Sequence, residues 1–452
     1  MKDMSYEEAV EYIHSLYWKG KKTGLEKTKE LLDLAGHPEY GKKYIHIAGT
    51  NGKGSTAAML DSVLRHAGYR VGLYTSPYIC EYNERIQADG ANIPNDALAR
   101  LTTELSRLVE KMETPPSEFE FGTVLAFLYF KETGCEYVVL ETGLGGTYDS
   151  TNVIADPLLC IITALGFDHT ALLGDTMEEI ASAKAGIIKE NSRVVFYGDN
   201  PEGEKVIASV CKEKNASLSI PDFRQIVVEK PMEAGFEIRE GKRVFSLNRQ
   251  QISYKQRKNL LLALSGSYQR KNAAVVCEAI DVLRECGVEI PEKAVYQGLE
   301  NVFWQARLEV LSSEPIILVD GSHNPQGMQA TLESLREYFP EQRLTFVFGA
   351  MADKDLTTMI SMLLSMAKKI ILTAPALPRA QKPAVLCNMF EEEIHRNGPG
   401  DEYAPKLLCT DSVPEAVEYA KNEAKNEVVV MIGSLYLAGE AKNYLRSIPE
   451  KD

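Results

Sequence analysis

The segment Tyr44-Ile45-His46-Ile47-Ala48-Gly49-Thr50-Asn51-Gly52-Lys53-Gly54-Ser55, running on into residues 56–67, decides how this chain is read. A short apolar run leads into glycines and a lysine. A helical stretch follows, with Met59, Leu60, Val63 and Leu64 on one stripe. Strand, glycine-rich turn and helix, in that order, are the setting of a phosphate-binding loop. The glycines let backbone N–H groups approach phosphate oxygens, and the start of the helix adds a favourable dipole. Asn51, Gly52, Lys53, Gly54 and Ser55 are therefore candidate ATP contacts, with Lys53 reaching the outer phosphates. The match to the pattern G-x-x-x-x-G-K-[ST] is incomplete. Ile47 stands at the first glycine position, Gly54 follows the lysine where a hydroxyl is usual, and Ser55 comes one place later. The competing reading is a plain strand–turn–helix junction.

The missing hydroxyl at Gly54 sends the search for magnesium ligands elsewhere. Glu141 ends the apolar run Tyr137-Val138-Val139-Leu140, where a P-loop enzyme places its metal-binding acid. Ser76 ends the strand candidate 70–75, and His169 follows the run Cys160-Ile161-Ile162-Thr163. Strand ends of this kind meet at the carboxyl edge of a parallel sheet, where such folds bind ligands. Each residue also has a plainer reading. Ser76 can be a turn residue before Pro77, His169 a structural histidine, and Glu141 either.

Continuous apolar strands alternating with helical patterns predict an α/β fold with a parallel sheet covered on both faces. Arg193-Val194-Val195-Phe196 extends the first series. Residues 225–247 read as short antiparallel strands around Glu240-Gly241, a small insertion. Residues 268–287 return to helix. A second series begins near Trp304, with strands at 316–319, 344–348, 369–373 and 427–432. The expected organisation is a P-loop-type, mostly parallel domain over residues 1–302 that includes the insertion. A smaller Rossmann-like domain over 303–452 follows it.

Bulk properties narrow the function classes. A chain of 452 residues, 44% hydrophobic, suits two domains. Its formal net charge of -14 argues against a general nucleic-acid binder. None of the eight cysteines forms a C-x-x-C pair, so they read as reduced thiols. Residues 1–21 carry Asp3, Glu7, Glu8 and Glu11 and lack the uncharged apolar core of a leader. No apolar run reaches the roughly 20 residues of a membrane helix. A cytoplasmic enzyme, with no nucleic-acid or membrane partner, is the expectation.

Together the motifs resemble the folylpolyglutamate synthase family of the Mur ligase superfamily, over nearly the whole chain. They are the segment 49–55, Thr75-Ser76-Pro77, Glu141-Thr142-Gly143-Leu144-Gly145-Gly146, Asp149-Ser150-Thr151-Asn152, Asp168-His169, the segment 182–189, and Asp320-Gly321-Ser322-His323-Asn324-Pro325. The resemblance implies an ATP-dependent ligase joining L-glutamate to the γ-carboxylate of a folate. It implies magnesium, two ions, at Ser76, Glu141 and His169, and a carbon dioxide-derived carbamate on Lys184. Asn272 would contact adenine, Arg307 the phosphates and Asp320 the nucleotide, with His323 or Asp320 acting on the glutamate amine. Phe119, Glu120, Tyr148, Asp149 and Ser150 would lie on the folate side. A monomer is implied as well. Read without the resemblance, Lys184 is an ordinary helix-surface lysine, and Arg307 is equally a structural ion-pair residue. This sequence also departs from the family, which commonly has glycine at the place of Ala306 and often proline at that of Gln305. Dihydrofolate synthase activity, alone or in addition, is the nearest alternative. A Mur-type cell-wall ligase and a nucleotide-gated binding protein without turnover are more distant ones.

Overall fold

The computed structural model describes residues 3–16, 24–397, 404–424 and 427–448. Part of the amino-terminal stretch read above for leader character therefore lies outside the described residues. The chain divides into two compact units, residues 1–225 with 272–302, and residues 226–271 with 303–452.

The first unit is built on an eight-stranded sheet. Its strands are β1 (Lys43–Ala48), β2 (Val71–Tyr74), β3 (Ile86–Ala88), β4 (Ala91–Asn92), β5 (Tyr137–Glu141), β6 (Leu159–Ile162), β7 (Arg193–Phe196) and β8 (Ser217–Ser219). They lie in the order β4-β3-β2-β5-β1-β6-β7-β8. From β2 to β8 every neighbouring pair is parallel, and β3 and β4 add an antiparallel edge. Every residue of β2, β5 and β6 is buried. That is why these strands read as unbroken apolar runs, with no alternation. One face is covered by a core that includes Leu101, Leu105, Phe121, Phe127, Val138 and Leu140. The same face continues across β6 and β7 as a second core that includes Cys160, Ile162, Ala181, Ile187, Phe196 and Ile207, because His46 is paired with both Leu140 and Cys160. The β1–β5 and β1–β6 pairings set the ends of three strands side by side around the turn that follows Ala48.

The second unit carries β9 (Ile226–Lys230), β10 (Ala234–Arg239), β11 (Lys242–Leu247), β12 (Gln250–Tyr254) and β13 (Arg257–Leu262) as two small antiparallel sheets. Glu240 and Gly241 turn β10 into β11, both at positive φ, as a two-residue hairpin loop requires. Its main sheet is formed by β14 (Glu309–Ser313), β15 (Ile316–Val319), β16 (Leu344–Phe348), β17 (Ala367–Leu372), β18 (Lys406–Cys409) and β19 (Val428–Ile432). The order is β14-β15-β19-β16-β17-β18, parallel apart from β14.

The unit division corrects the expected place of the antiparallel insertion. It clusters with residues 303–452, whereas the expectation put it within 1–302. The reason is burial. Met232 and Phe245 belong to one core with Leu318, Leu335, Phe339 and Phe346, and the Phe245 N–H donates to Ser313 Oγ at 2.8 Å. Local periodicity predicted the hairpin but carries no information about the surface that covers its apolar side.

Candidate functional site

In the first unit the turn after β1 is stitched to the end of β6. Thr50 and Asn51 N–H donate to Ala164 O at 2.9 and 3.2 Å, and Thr50 Oγ1 donates to Gly166 O at 3.0 Å. The helix Lys53–His66 then starts at Gly52, which has a φ of 88° and no side chain to cap the first turn. A helix start left uncapped in this way offers its amides to an anion. Gly49 and Gly52 leave no room for larger residues. A Cβ on Gly49 would meet Thr163 Oγ1 at 1.8 Å, and one on Gly52 would meet Asn272 Oδ1 at 2.8 Å. Gly49→Ala is therefore expected to destabilise the protein by about 2 kcal/mol and to abolish the rise in Tm produced by ATP. Thermal unfolding with and without ATP measures both, and an unchanged ATP shift would remove the phosphate-loop reading.

Asn272 is thus placed against Gly52 of this glycine loop, where it is 3% exposed. Lys53 Nζ donates back to Gly49 O and Thr50 O, each at 3.2 Å. Lys184 comes to the same carbonyl, with Nζ 2.7 Å from Gly49 O. The ordinary surface lysine of the sequence reading is in fact 3% exposed. Burial is the main cause that lowers the Lys184 ammonium to about 7, and the nearby charge of Lys53 adds to it. An amine of that kind has a substantial neutral fraction near pH 7. Neutral nitrogen is the form that attacks carbon dioxide.

Glu141 is the last residue of β5 and is buried, and its Oε2 accepts the Ser76 N–H at 3.2 Å. These two strand-end residues are brought together. His169 follows β6 at a φ of 53° with its side chain 39% exposed, and its Nε2 lies 3.9 Å from Asp168 Oδ1. Among the described residues, no group of three or more His, Cys, Asp or Glu is arranged to hold a metal.

The segment 142–152 is a clamp. Asp149 is buried and accepts from Leu144 N at 2.8 Å, Thr151 N at 3.0 Å and Thr151 Oγ1 at 2.5 Å. Because the Thr151 hydroxyl donates to Asp149, His46 Nε2 must donate to Thr151 Oγ1, 2.8 Å away. Burial pulls the His46 imidazole down to about 3, which keeps it neutral in that role. In the sequence His46 belongs to no motif. Its signal was a polar residue inside an apolar strand. Thr147 N donates to Ala183 O at 2.9 Å, and Asn152 Nδ2 to Gly186 O at 3.0 Å, so the clamp also holds the helix Met177–Ala185 that carries Lys184.

The residues expected on the folate side have diverse placements. Glu120 is buried and caps its own helix, with Oε2 accepting the Ser117 N–H at 2.6 Å. Thr123 Oγ1 joins Ser150 Oγ at 2.9 Å and Phe119 O at 2.8 Å, so this helix and the 149–152 turn form one body. Phe119 packs on Tyr74 at 5.7 Å between ring centroids. Tyr148 is 60% exposed, the most open of the five.

In the second unit Asp320 follows β15 and is 1% exposed. Its Oδ2 accepts from Tyr268 Oη and Leu308 N, and its Oδ1 from Ser322 N, Ser322 Oγ and Thr331 Oγ1. Both oxygens are thus committed to donors of the same unit. The arrangement makes Asp320 an anchor for the turns carrying Arg307 and His323. His323 Nδ1 donates to Gly321 O at 3.0 Å, which sets its tautomer when neutral. Tyr268, Glu309 and Lys442, which surround this turn, went unnoticed in the sequence because nothing local marks them.

An uncapped glycine loop, strand-end carboxylate and buried amine in one α/β unit suit ATP-driven activation of an acid. Residues 47–280 match the family described as Mur ligase middle domain, and residues 306–435 that described as Mur ligase, glutamate ligase domain. The fold and site define an ATP-dependent acid–amino-acid ligase of the Mur ligase superfamily. The dihydrofolate synthase/folylpolyglutamate synthase of Bacillus subtilis (strain 168) is 36% identical over 449 residues, 98% of this chain and 99% of that protein. The apo form of L. casei FPGS is a structural neighbour with a TM-score of 0.80 at 31% identity, covering 98% of this chain and all of that one (100%). E. coli FolC in complex with DHPP and ADP reaches a TM-score of 0.82 at 26% identity, with 98% of each chain covered. The chain belongs to the folylpolyglutamate synthase family.

Proposed function

We propose that this enzyme adds L-glutamate to the γ-carboxylate of a folate, with ATP consumed to ADP and phosphate. The observation that carries the reading is the convergence of Lys53 and Lys184 on Gly49 O, at the mouth of an uncapped phosphate loop. A carboxylate is a poor acyl donor, since oxide would have to leave. Its oxygen attacks the γ-phosphorus of ATP, the bond to ADP breaks, and an acyl phosphate forms. The neutral amine of glutamate then attacks the acyl carbon, phosphate leaves, and the nitrogen loses a proton. Lys53 neutralises charge on the transferring phosphoryl group. Arg307 is assigned to the phosphates as well, and His323 to orienting the incoming amine.

Magnesium is assigned to Ser76, Glu141 and His169. The ion takes one or two carboxylates and fills its remaining positions with water and substrate phosphates, so this sparse set of hard oxygen ligands plus imidazole fits it. A carbamate on Lys184 fits the buried amine lowered to about 7. Magnesium held by these residues would supply charge neutralisation at the phosphates, and a carbamate would turn the buried Lys184 cation into an anion. Phe119, Glu120, Tyr148, Asp149 and Ser150 are assigned to the folate side, and Asn272 to the nucleotide. The eight free cysteines suit a reducing compartment, the cytoplasm, and no described helix is long and apolar enough to cross a membrane. The protein is taken to act as a monomer, without nucleic acid.

The B. subtilis relative's double name favours a second activity, glutamate addition to dihydropteroate. A phosphate-release assay with ATP and glutamate, comparing dihydropteroate, dihydrofolate and a reduced folate, tests both. Glutamate-dependent release with either folate is the expected result. Release with none of the three would defeat the folate assignment, and release only with a muramoyl-peptide precursor would transfer the enzyme to the cell-wall ligases.

A further inference from the structure

We infer that Lys442, on the helix Leu435–Ser447, is a positioning residue that holds Arg307 in place through a part-buried ion pair with Glu309. The inference rests on Arg307 acting at the nucleotide phosphates.

Arg307 sits between two residues in the left-handed region, Ala306 at a φ of 51° and Leu308 at 45°. Neither is glycine, and both are buried, so this conformation persists only because its surroundings impose it. The restraints are few. Ala306 N–H donates to Glu309 Oε2 at 2.8 Å, and Leu308 N–H donates to Asp320 Oδ2 at 3.0 Å. Ala306 O accepts from Gly321 N at 2.9 Å and from Arg307 Nη1 at 2.8 Å. The backbone on each side of Arg307 therefore ends on a carboxylate.

The two carboxylates are supported differently. Asp320 is surrounded by hydroxyl and amide donors. Among the described residues, Glu309 is supported by one cation, Lys442, whose Nζ lies 2.7 and 2.8 Å from its two oxygens. The same nitrogen donates to Gln305 Oε1 at 2.7 Å. An ammonium has three N–H donors, and these contacts use all of them. Lys442 is 3% exposed. One buried amine thus ties down residues 305 and 309, and through Glu309 the N–H of residue 306. Without it, Glu309 is a poorly solvated charge lacking its counter-ion and pulls away from that N–H toward water. Ala306 then loses the restraint on its N–H and keeps only those on its carbonyl, and the guanidinium loses part of its presentation.

The test is a double-mutant cycle on the full-length enzyme, read as kcat/KM for ATP in the glutamate-dependent reaction, with Tm recorded for every variant. Lys442→Met is expected to lower kcat/KM by about 30-fold, and Arg307→Ala by about 100-fold or more. In the Arg307→Ala background, Lys442→Met should change it by less than about 2-fold, because the residue acts only through Arg307. Lys442→Gln, which keeps a donor for Glu309, provides the same cycle with a gentler perturbation should Lys442→Met not fold. Equal losses from the Lys442 variants in both backgrounds would overturn the positioning role while leaving the Arg307 reading intact. A near-normal Arg307→Ala enzyme would overturn the Arg307 reading, and the positioning role with it.

Discussion

Lys53→Ala is expected to lower glutamate-dependent phosphate release by about 10³-fold or more, with little change in the fold. In the free protein Lys53 Nζ bridges two carbonyls of its own loop, Gly49 O and Thr50 O. Those bonds are part-buried and local, so losing them costs about 1 kcal/mol of stability. The catalytic loss is expected to be much larger because, on the proposed reading, this side chain would neutralise the developing phosphoryl charge, and no water dipole replaces a fixed cation there. Lys53→Arg should not restore activity, since a planar guanidinium cannot take the position of a compact ammonium on a short loop. Phosphate release at saturating ATP and folate, together with a circular dichroism melt, separates chemistry from folding. Turnover within a few-fold of the parent would remove the nucleotide assignment of this loop.

Lys184→Ala is the second large effect. Activity should fall by about 10²-fold or more, and short carboxylic acids such as acetate should restore part of it by placing an anion where the carbamate would stand. Carbamylation joins the amine nitrogen to carbon dioxide and releases a proton, so it needs the neutral amine. That amine is lowered to about 7, chiefly by burial, so its neutral fraction is high above that pH and falls below it. Carbamate occupancy, followed by carbon-13 resonance with labelled bicarbonate, should therefore decline as pH drops through about 7. With an ordinary exposed lysine, occupancy would instead stay low until far more alkaline conditions. An unlabelled lysine across that range, combined with no carboxylic-acid rescue, would remove the carbamate.

Lys184 also illustrates what a linear reading misses. Its neighbours in sequence place it on a helix but say nothing of its partner, Gly49, 135 positions earlier. Burial under the phosphate loop makes its amine unusual, and that burial arises from the β1–β6 pairing and the clamp of residues 142–152. Glu120 is a contrasting case, because its Ser117–Glu120 capping box spans three positions and is legible locally. The hairpin of β10 and β11 was readable as a hairpin from its turn residues. Its membership of the second unit was not, because Met232 and Phe245 find their core across long sequence separations.

The sequence by itself determined the α/β class, the strand–loop–helix at Gly49–Ser55, and the strand ends at or just before Ser76, Glu141 and Asp320. Those features are written in local terms: apolar runs fully covered in a parallel sheet, glycines where backbone must approach a ligand, and polar residues where strands stop. The tertiary structure alone decided that Lys184 is buried, that Asp149 and Asp320 are held by many donors, and that Lys442 reaches Glu309 beside Arg307. Charge state and orientation depend on what surrounds a side chain in space, and neither periodicity nor spacing along the chain specifies that.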